Sequence, residues 1–381
     1  MLKIVTVIGA RPQLIKAAAI SREIEKSYQQ QIEEVIIHTG QHYDYQMSSV
    51  FFEELNLPKE KYNLGVGSGS HAFQTAQIML HLEPILLKEK PTFLLVYGDT
   101  NSTLAAALCA AKLFIPIVHV EAGVRSYNKD YPEEVNRILT DHLSAFLFTP
   151  TKAGFAALLA EGLRPTNELK KDYNSPGIYL CGDIMYDNTL YFSEKVDKNS
   201  ILKKYEIGNS YVLLTIHRAS NVDDSKILME ILNAVVVLAE EFEIDFVFTV
   251  HPRTMNTFQN FGIEFSEKFM NHPRIKLLPP VSYLEMIALE GSAELIITDS
   301  GGVQKEAYFL EKPSIILLNE TPWVELVESN NSILVGNNQQ KIKEGFRNLY
   351  HKKNLNFEPM YGNGRAANYI LETLVNHYKN V

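Results

Sequence analysis

Titratable or charged residues stand at or just beyond the ends of three apolar runs that read as buried strands. Asp99 follows Phe93-Leu-Leu-Val-Tyr97, Glu121 follows Ile115-Pro-Ile-Val-His-Val120, and His217-Arg218 follows Tyr211-Val-Leu-Leu-Thr-Ile216. The carboxyl ends of strands are where open parallel sheets keep their ligands. Carboxylates and an imidazole at such ends are the groups that proton transfer needs. Local structure offers competing explanations for some of them. Asp99 can cap the helix that starts after it, and Glu133, Glu134 and Arg137 follow Pro132 in a pattern that helix starts and the helix dipole favour. For Glu134 and Arg137 that explanation suffices. For Glu121 it does not, because ending a strand calls for no carboxylate.

A second chemistry is written in Thr298-Asp-Ser-Gly-Gly-Val-Gln-Lys-Glu306. A strand, then Ser300-Gly301-Gly302, then a helix exposes backbone N–H groups at a positive helix end, and the glycines let a diphosphate approach. Glu306, just over one turn later, can accept hydrogen bonds from vicinal ribose hydroxyls. The N-terminal strand, Gly9 and the helix opened by Arg11-Pro12 form a similar anion site, flanked by Arg11 and Lys16. By contrast, Gly65-Val-Gly-Ser-Gly-Ser70 fails as a dinucleotide fingerprint, since Ser70 occupies the third glycine position and no strong strand precedes it. His38 and His42 are spaced like a metal pair on a helix, but here a strand runs into a loop, which argues against a metal.

These residues need a scaffold, and the chain supplies two series of alternating strands and helices. The first covers residues 2–9, 34–38, 93–97, 115–120 and 146–150. After a polar stretch with two prolines at 164–177, the second covers 211–216, 245–250, 275–278, 295–298, 314–318 and 333–335. The pattern predicts an α/β protein of two doubly wound domains facing one another across a cleft that holds the site. A length of 381 residues suits two cores. With 46% hydrophobic and 21% charged residues, a net charge of −9 and a pI near 5.7, the composition is that of a globular protein without the basic face that nucleic acid or an anionic membrane requires. Only two cysteines, no signal-like start and no long apolar run give the expectation of a cytoplasmic protein without membrane spans.

Gly98-Asp99-Thr100, His119-Val-Glu-Ala-Gly-Val-Arg125, Pro132-Glu-Glu-Val-Asn-Arg137, His217-Arg218 and Asp299-Ser-Gly-Gly302, in this order, resemble the non-hydrolysing UDP-N-acetylglucosamine 2-epimerase family, over essentially the whole chain. The resemblance implies a GT-B-like pair of Rossmann domains: residues 1–175, carrying the catalytic carboxylates and completed by the C-terminal helix 365–381, and residues 176–364, binding UDP. It also implies a homodimer and interconversion of UDP-GlcNAc and UDP-ManNAc, through loss of UDP to a bound 2-acetamidoglucal and its re-addition. Carried over position by position, Asp99, Glu121, Glu133 and His217 match catalytic residues. Arg11, Lys16, His217, Ser300, Gly301, Gly302 and Glu306 match UDP contacts, and Gln41, Arg218 and His251 match an activator site for a second UDP-sugar.

Two positions depart from the family pattern: Leu318 stands where many members have arginine, and an activator-site arginine is replaced around His71. The forms Ala10-Arg-Pro-Gln13, His38-Thr-Gly-Gln-His42 and Glu320-Thr-Pro-Trp-Val-Glu325 resemble the subgroup acting on UDP-2,3-diacetamido-2,3-dideoxyglucuronate. Inversion at C2 requires a base on one face and an acid on the other. Two carboxylates about 4 Å apart repel by roughly 4 kcal/mol at an effective dielectric near 20, enough to hold a proton on one member of an Asp99, Glu121 and Glu133 cluster. The reaction calls for no cofactor and no metal. A GT-B glycosyltransferase and a UDP-sugar sensor without turnover remain alternatives.

Overall fold

The computed structural model describes residues 1–41, 52–166, 168, 170–258, 269–352 and 354–380. Two compact units emerge, one of Met1–Asn188 with Pro359–Val381 and one of Thr189–Glu358.

The first unit is built on a seven-stranded sheet. Its strands are β1 (Leu2–Ile8), β2 (Ile32–His38), β3 (Tyr62–Asn63), β4 (Phe93–Tyr97), β5 (Ile117–Val120), β6 (Phe146–Thr149) and β7 (Gly177–Leu180). Their order is β3-β2-β1-β4-β5-β6-β7, and every pairing is parallel. The order reverses direction between β1 and β4, the switch point of a doubly wound sheet. The helices that matter for the site are α1 (Arg11–Glu23), α2 (His71–Glu89), α3 (Asn101–Lys112) and α4 (Pro132–Leu143). Strands covered on both faces read as continuous apolar runs, and Phe93 to Tyr97 are all buried. The chain leaves this unit later than the expected boundary at 175/176. The reason is β7, which pairs with β6 and keeps 177–180 in the first sheet.

The second unit repeats the plan with β8 (Tyr211–Ile216), β9 (Asp245–Val250), β10 (Ile275–Leu278), β11 (Leu295–Thr298), β12 (Ser314–Ile316) and β13 (Ser332–Leu334), in the order β10-β9-β8-β11-β12-β13, again all parallel. Four of these strands, β8 to β11, match their expected spans. β12 ends at Ile316, short of the expected Leu318. Helices α5 (Tyr283–Ser292) and α6 (Gly301–Phe309) flank β11 in sequence. Strands β8 and β9 and the helix Ser225–Glu241 supply about half of one core cluster, including Leu214, Phe246, Phe248 and Leu232. The last helix, α7 (Ala366–Asn380), belongs to the first unit. The Asp187 carboxylate accepts from the N–H groups of Ala366 and Ala367 at 3.0 and 2.8 Å, satisfying donors that a helix start leaves open. The expectation of two Rossmann-like doubly wound halves is borne out.

Candidate active site

In the first unit the charged residues gather beyond β4 and β5. Gly98 turns the chain after β4 with φ +62°, and a Cβ there would lie 3.2 Å from Lys16 Nζ and 3.4 Å from Glu121 Oε1. Its bare Cα therefore makes room for an ion pair. Lys16 Nζ donates to Glu121 Oε1 at 2.8 Å, and both side chains are 9% exposed. Glu121 itself sits at φ +74°, a left-handed conformation unusual for a residue with a side chain. Asp99 does not cap α3, because Thr100 does so through Thr103 N. Instead the Asp99 carboxylate accepts from Arg137 Nη2, and Arg137 Nη1 donates to Glu134 at 3.0 Å.

The two predicted carboxylates thus each face a cation, which offsets the repulsion expected between them. Spacing gives no hint of either partner: in sequence, Lys16 suits an anion site and Arg137 its own helix. Glu134 does serve local structure, since its oxygens accept from Ser126 N, Tyr127 N and the Ser126 hydroxyl at 2.8 to 3.0 Å. Burial works against its charge, yet these donors and Arg137 hold its carboxyl below the ordinary range. Glu133, one residue earlier, is exposed on the first turn of α4.

A buried network fixes the loop that carries Glu121. His119 Nε2 is 2.8 Å from Gly98 O, which can only accept, so Nε2 donates there; Nδ1 lies 2.6 Å from Asp141 Oδ1. The same carboxylate accepts from Gly123 N at 3.0 Å and pairs with Arg125 at 2.7 Å. Burial raises the Asp141 carboxyl, but His119 and Arg125 outweigh it and keep it below its usual value. Backbone on both sides of Asp99 and Glu121 is therefore anchored to groups that are themselves paired.

The two glycine turns, which look alike in sequence, differ in what their donors do. At the first, Gly9 N and Ala10 N both donate to Gln13 Oε1, at 2.8 and 3.1 Å. Those two N–H groups are spent internally. Arg11 is exposed at the start of α1. At the second turn, the N–H groups of Gly301 and Gly302 carry no hydrogen bond among the described residues, and Ser300 makes no side-chain cap. A Cβ on Gly302 would lie 3.8 Å from Glu306 Oε2, so that carboxylate stands beside the turn. Behind it is Glu290, fully buried, with no hydrogen-bond partner on either oxygen among the described residues. Burial, reinforced by Glu306, pushes the Glu290 carboxyl well above the ordinary range.

Asp299 organises the neighbouring strand end. It accepts from the backbone N–H of His217 and Arg218 at 3.0 and 2.9 Å and from Asn221 Nδ2 at 3.1 Å, while His217 Nδ1 lies 3.0 Å away. Burial opposes ionisation there, but His217 and these donors hold the Asp299 carboxyl below its usual value. With Nδ1 committed to Asp299, the His217 ring presents Nε2, and its side chain is 38% exposed. His251 is exposed, with its ring 5.5 Å from that of His217. Arg218 Nε donates to Asp299 O at 3.2 Å.

Gln41 belongs to the first unit, and its Oε1 accepts from Ser102 N and the Ser102 hydroxyl at 3.0 and 2.6 Å, tying its amide oxygen to α3. His38 Nδ1 accepts from Gly40 N at 3.0 Å, and His42 lies outside the described residues. Among the described residues no three His, Cys, Asp or Glu side chains are grouped to hold a metal, and no helix is long and apolar enough to cross a membrane. Leu318 is half-buried just beyond β12, and its carbonyl accepts from Gly336 N at 3.1 Å.

A family model described as UDP-N-acetylglucosamine 2-epimerase matches residues 24–375. A UDP-N-acetylglucosamine 2-epimerase homolog of Methanococcus maripaludis is 46% identical over 98% of this chain and 100% of its own. The UDP-2,3-diacetamido-2,3-dideoxy-D-glucuronate 2-epimerase of Pseudomonas aeruginosa is 41% identical, covering 98% of this chain and 99% of that one. The crystal structure of the Methanocaldococcus jannaschii UDP-GlcNAc 2-epimerase in complex with UDP-GlcNAc and UDP superposes with a TM-score of 0.85 at 41% identity, over 98% of this chain and 100% of that one. Similarity at this level and over this length, on a matching pair of Rossmann-like folds, establishes that the chain belongs to the UDP-N-acetylglucosamine 2-epimerase family, a family of isomerases.

Proposed function

We propose that the protein interconverts UDP-GlcNAc and UDP-ManNAc without releasing hydrolysis products. In this reading a base removes the C2 proton as the C1–O bond breaks and UDP departs, leaving 2-acetamidoglucal. UDP then returns to C1 while an acid delivers a proton to the opposite face of C2. Electrons and atoms balance without any redox partner, so proton transfer and stabilisation of a leaving anion are the whole task. The observation that carries the reading is a division of labour in a chain of this family: cation-paired carboxylates at strand ends of one unit, and an anion-accepting turn with unspent N–H groups at a strand end of the other.

The proton-transfer roles go to Asp99, Glu121 and Glu133, and UDP to Arg11, Lys16, His217, Ser300, Gly301, Gly302 and Glu306. His217 suits the departing phosphate because Asp299 holds its Nδ1 side. Gln41, Arg218 and His251 are the candidates for an activator site. The function fits supply of surface polysaccharide precursors in the cytoplasm. A homodimer is supported by α2, whose exposed Phe73, Leu80 and Leu87 recur every seven residues and form one apolar stripe.

A second reading keeps the same chemistry on UDP-2,3-diacetamido-2,3-dideoxyglucuronate, and the Pseudomonas aeruginosa relative favours retaining it. Incubating each substrate separately with the enzyme in D2O and monitoring C2 by NMR decides between them. Deuterium incorporation with epimer formation on one substrate assigns it. Free sugar plus UDP would mean a hydrolysing enzyme, and no exchange on either would leave a glycosyltransferase or a sensor.

A further inference from the structure

Trp323 is the only tryptophan in the chain. It lies between β12 and the short helix Val324–Glu328, and it is 7% exposed. A Cβ built on Gly301 would come 3.7 Å from the indole Nε1 and 3.8 Å from Arg218 Nη2. The indole N–H therefore stands at the side of the turn whose Gly301 and Gly302 N–H groups are also unspent. Among the described residues Trp323 makes its polar contacts through its backbone and ring face, and none uses Nε1. An indole donor left open beside a row of open backbone donors points to an anion that takes all of them.

The ring is held in place from several directions. Lys305, 2% exposed on α6, sets its Nζ 4.0 Å from the ring centroid, a cation over the indole face. Thr321 Oγ1 accepts from Trp323 N at 3.3 Å and donates to Gln304 Oε1 at 2.7 Å, and Trp323 O accepts from Leu326 N at 3.1 Å. Residues 321–323 are thus fastened to the same helix whose first turn bears the open amides. A tryptophan needed only for packing would not have to bring its Nε1 to that turn.

We propose that the Trp323 indole N–H is a ligand contact, donating a hydrogen bond to the diphosphate of a nucleotide seated on Ser300–Gly302, with Lys305 fixing the plane of the ring. This rests on the reading of that turn as the UDP site. The contact belongs to binding in ground and transition states alike, because the diphosphate is present in both.

The test uses the full chain and UDP. Because no other tryptophan contributes, emission from the wild-type protein reports this one ring, and calorimetry gives the affinity independently. Emission is expected to change with UDP, with the midpoint of that change at the calorimetric Kd. Trp323→Phe keeps an aromatic face for Lys305 but removes the donor, and should weaken UDP by about 10-fold, the scale of a hydrogen bond to a charged acceptor. Thermal unfolding should show W323F still folded, and the emission titration stands even where it is not. Wild-type affinity in W323F, or flat emission while calorimetry records UDP binding, overturns the contact and leaves the UDP site standing. Failure of the wild-type protein to bind UDP at all overturns the site and the contact together.

Discussion

Replacing Glu121 by Gln tests structure and mechanism at once, because this carboxylate is half of a buried ion pair. At 2.8 Å two unit charges attract by about 6 kcal/mol gross at an effective dielectric of about 20. Desolvation cancels much of that, and removing one member of a buried pair typically costs about 3–5 kcal/mol. Glutamine still offers Lys16 an oxygen, so the expected loss is smaller, about 2–3 kcal/mol. For a unit the size of Met1–Asn188 with Pro359–Val381, that lowers Tm by about 5–10 °C. Lys16→Met alone strands the carboxylate and should cost at least as much. The double variant strands neither charge and should be more stable than the sum of the two losses implies, by about 2 kcal/mol. Turnover should behave differently. If Glu121 transfers the proton, the single and double variants both lose about 10² to 10⁴ in rate, and stability recovers without activity. Urea unfolding of the four proteins, with C2 deuteration as the activity readout, gives both quantities. Additive stability losses would refute the ion pair. Near-wild-type turnover in either variant lacking Glu121 would remove that residue from the mechanism.

Gly301→Val should abolish measurable UDP binding in calorimetry while leaving Tm nearly unchanged, because the added Cβ meets only ordinary contacts at 3.7 and 3.8 Å. A variant that binds UDP normally would place the nucleotide elsewhere. Asp299 has a folded pKa below its ordinary value, so its stabilising contribution is complete above about pH 4 and is lost as pH falls through the lower, folded value. Asp299→Asn should accordingly flatten the acid limb of the stability profile below about pH 4, and an unchanged limb would deny its role. Leu80→Glu on the exposed stripe of α2 should convert a dimer into a monomer in light scattering, and a dimer that survives it would have to use another face.

Most of the architecture was legible because burial on both faces leaves a direct trace in sequence. Strands such as Phe93–Tyr97 and Tyr211–Ile216 are unbroken apolar runs, and their alternation with helices forces parallel, doubly wound sheets. What escaped were the weakly marked edges. β3, at one end of the sheet, has only two residues. Edge strands bury less and so carry less of a pattern. The two glycine turns show the same limit within the site. Both have the strand, glycine and helix order that builds an anion site, but only the packed structure shows that Gln13 fills the first.

Local patterning along the chain was enough to say which residue types stand at which strand ends, because it sets where a strand stops and which residues come next. From that came Asp99, Glu121, His217 and the Ser300–Gly302 turn as candidates, and the family to which the chain belongs. Folding in three dimensions settled how each is held: Lys16 against Glu121, Arg137 against Asp99, Asp299 beneath His217, Glu290 behind Glu306, and Trp323 beside Gly301. Charge pairing and burial depend on distance in space, and residues 105 positions apart leave no mark of their contact in the spacing of either.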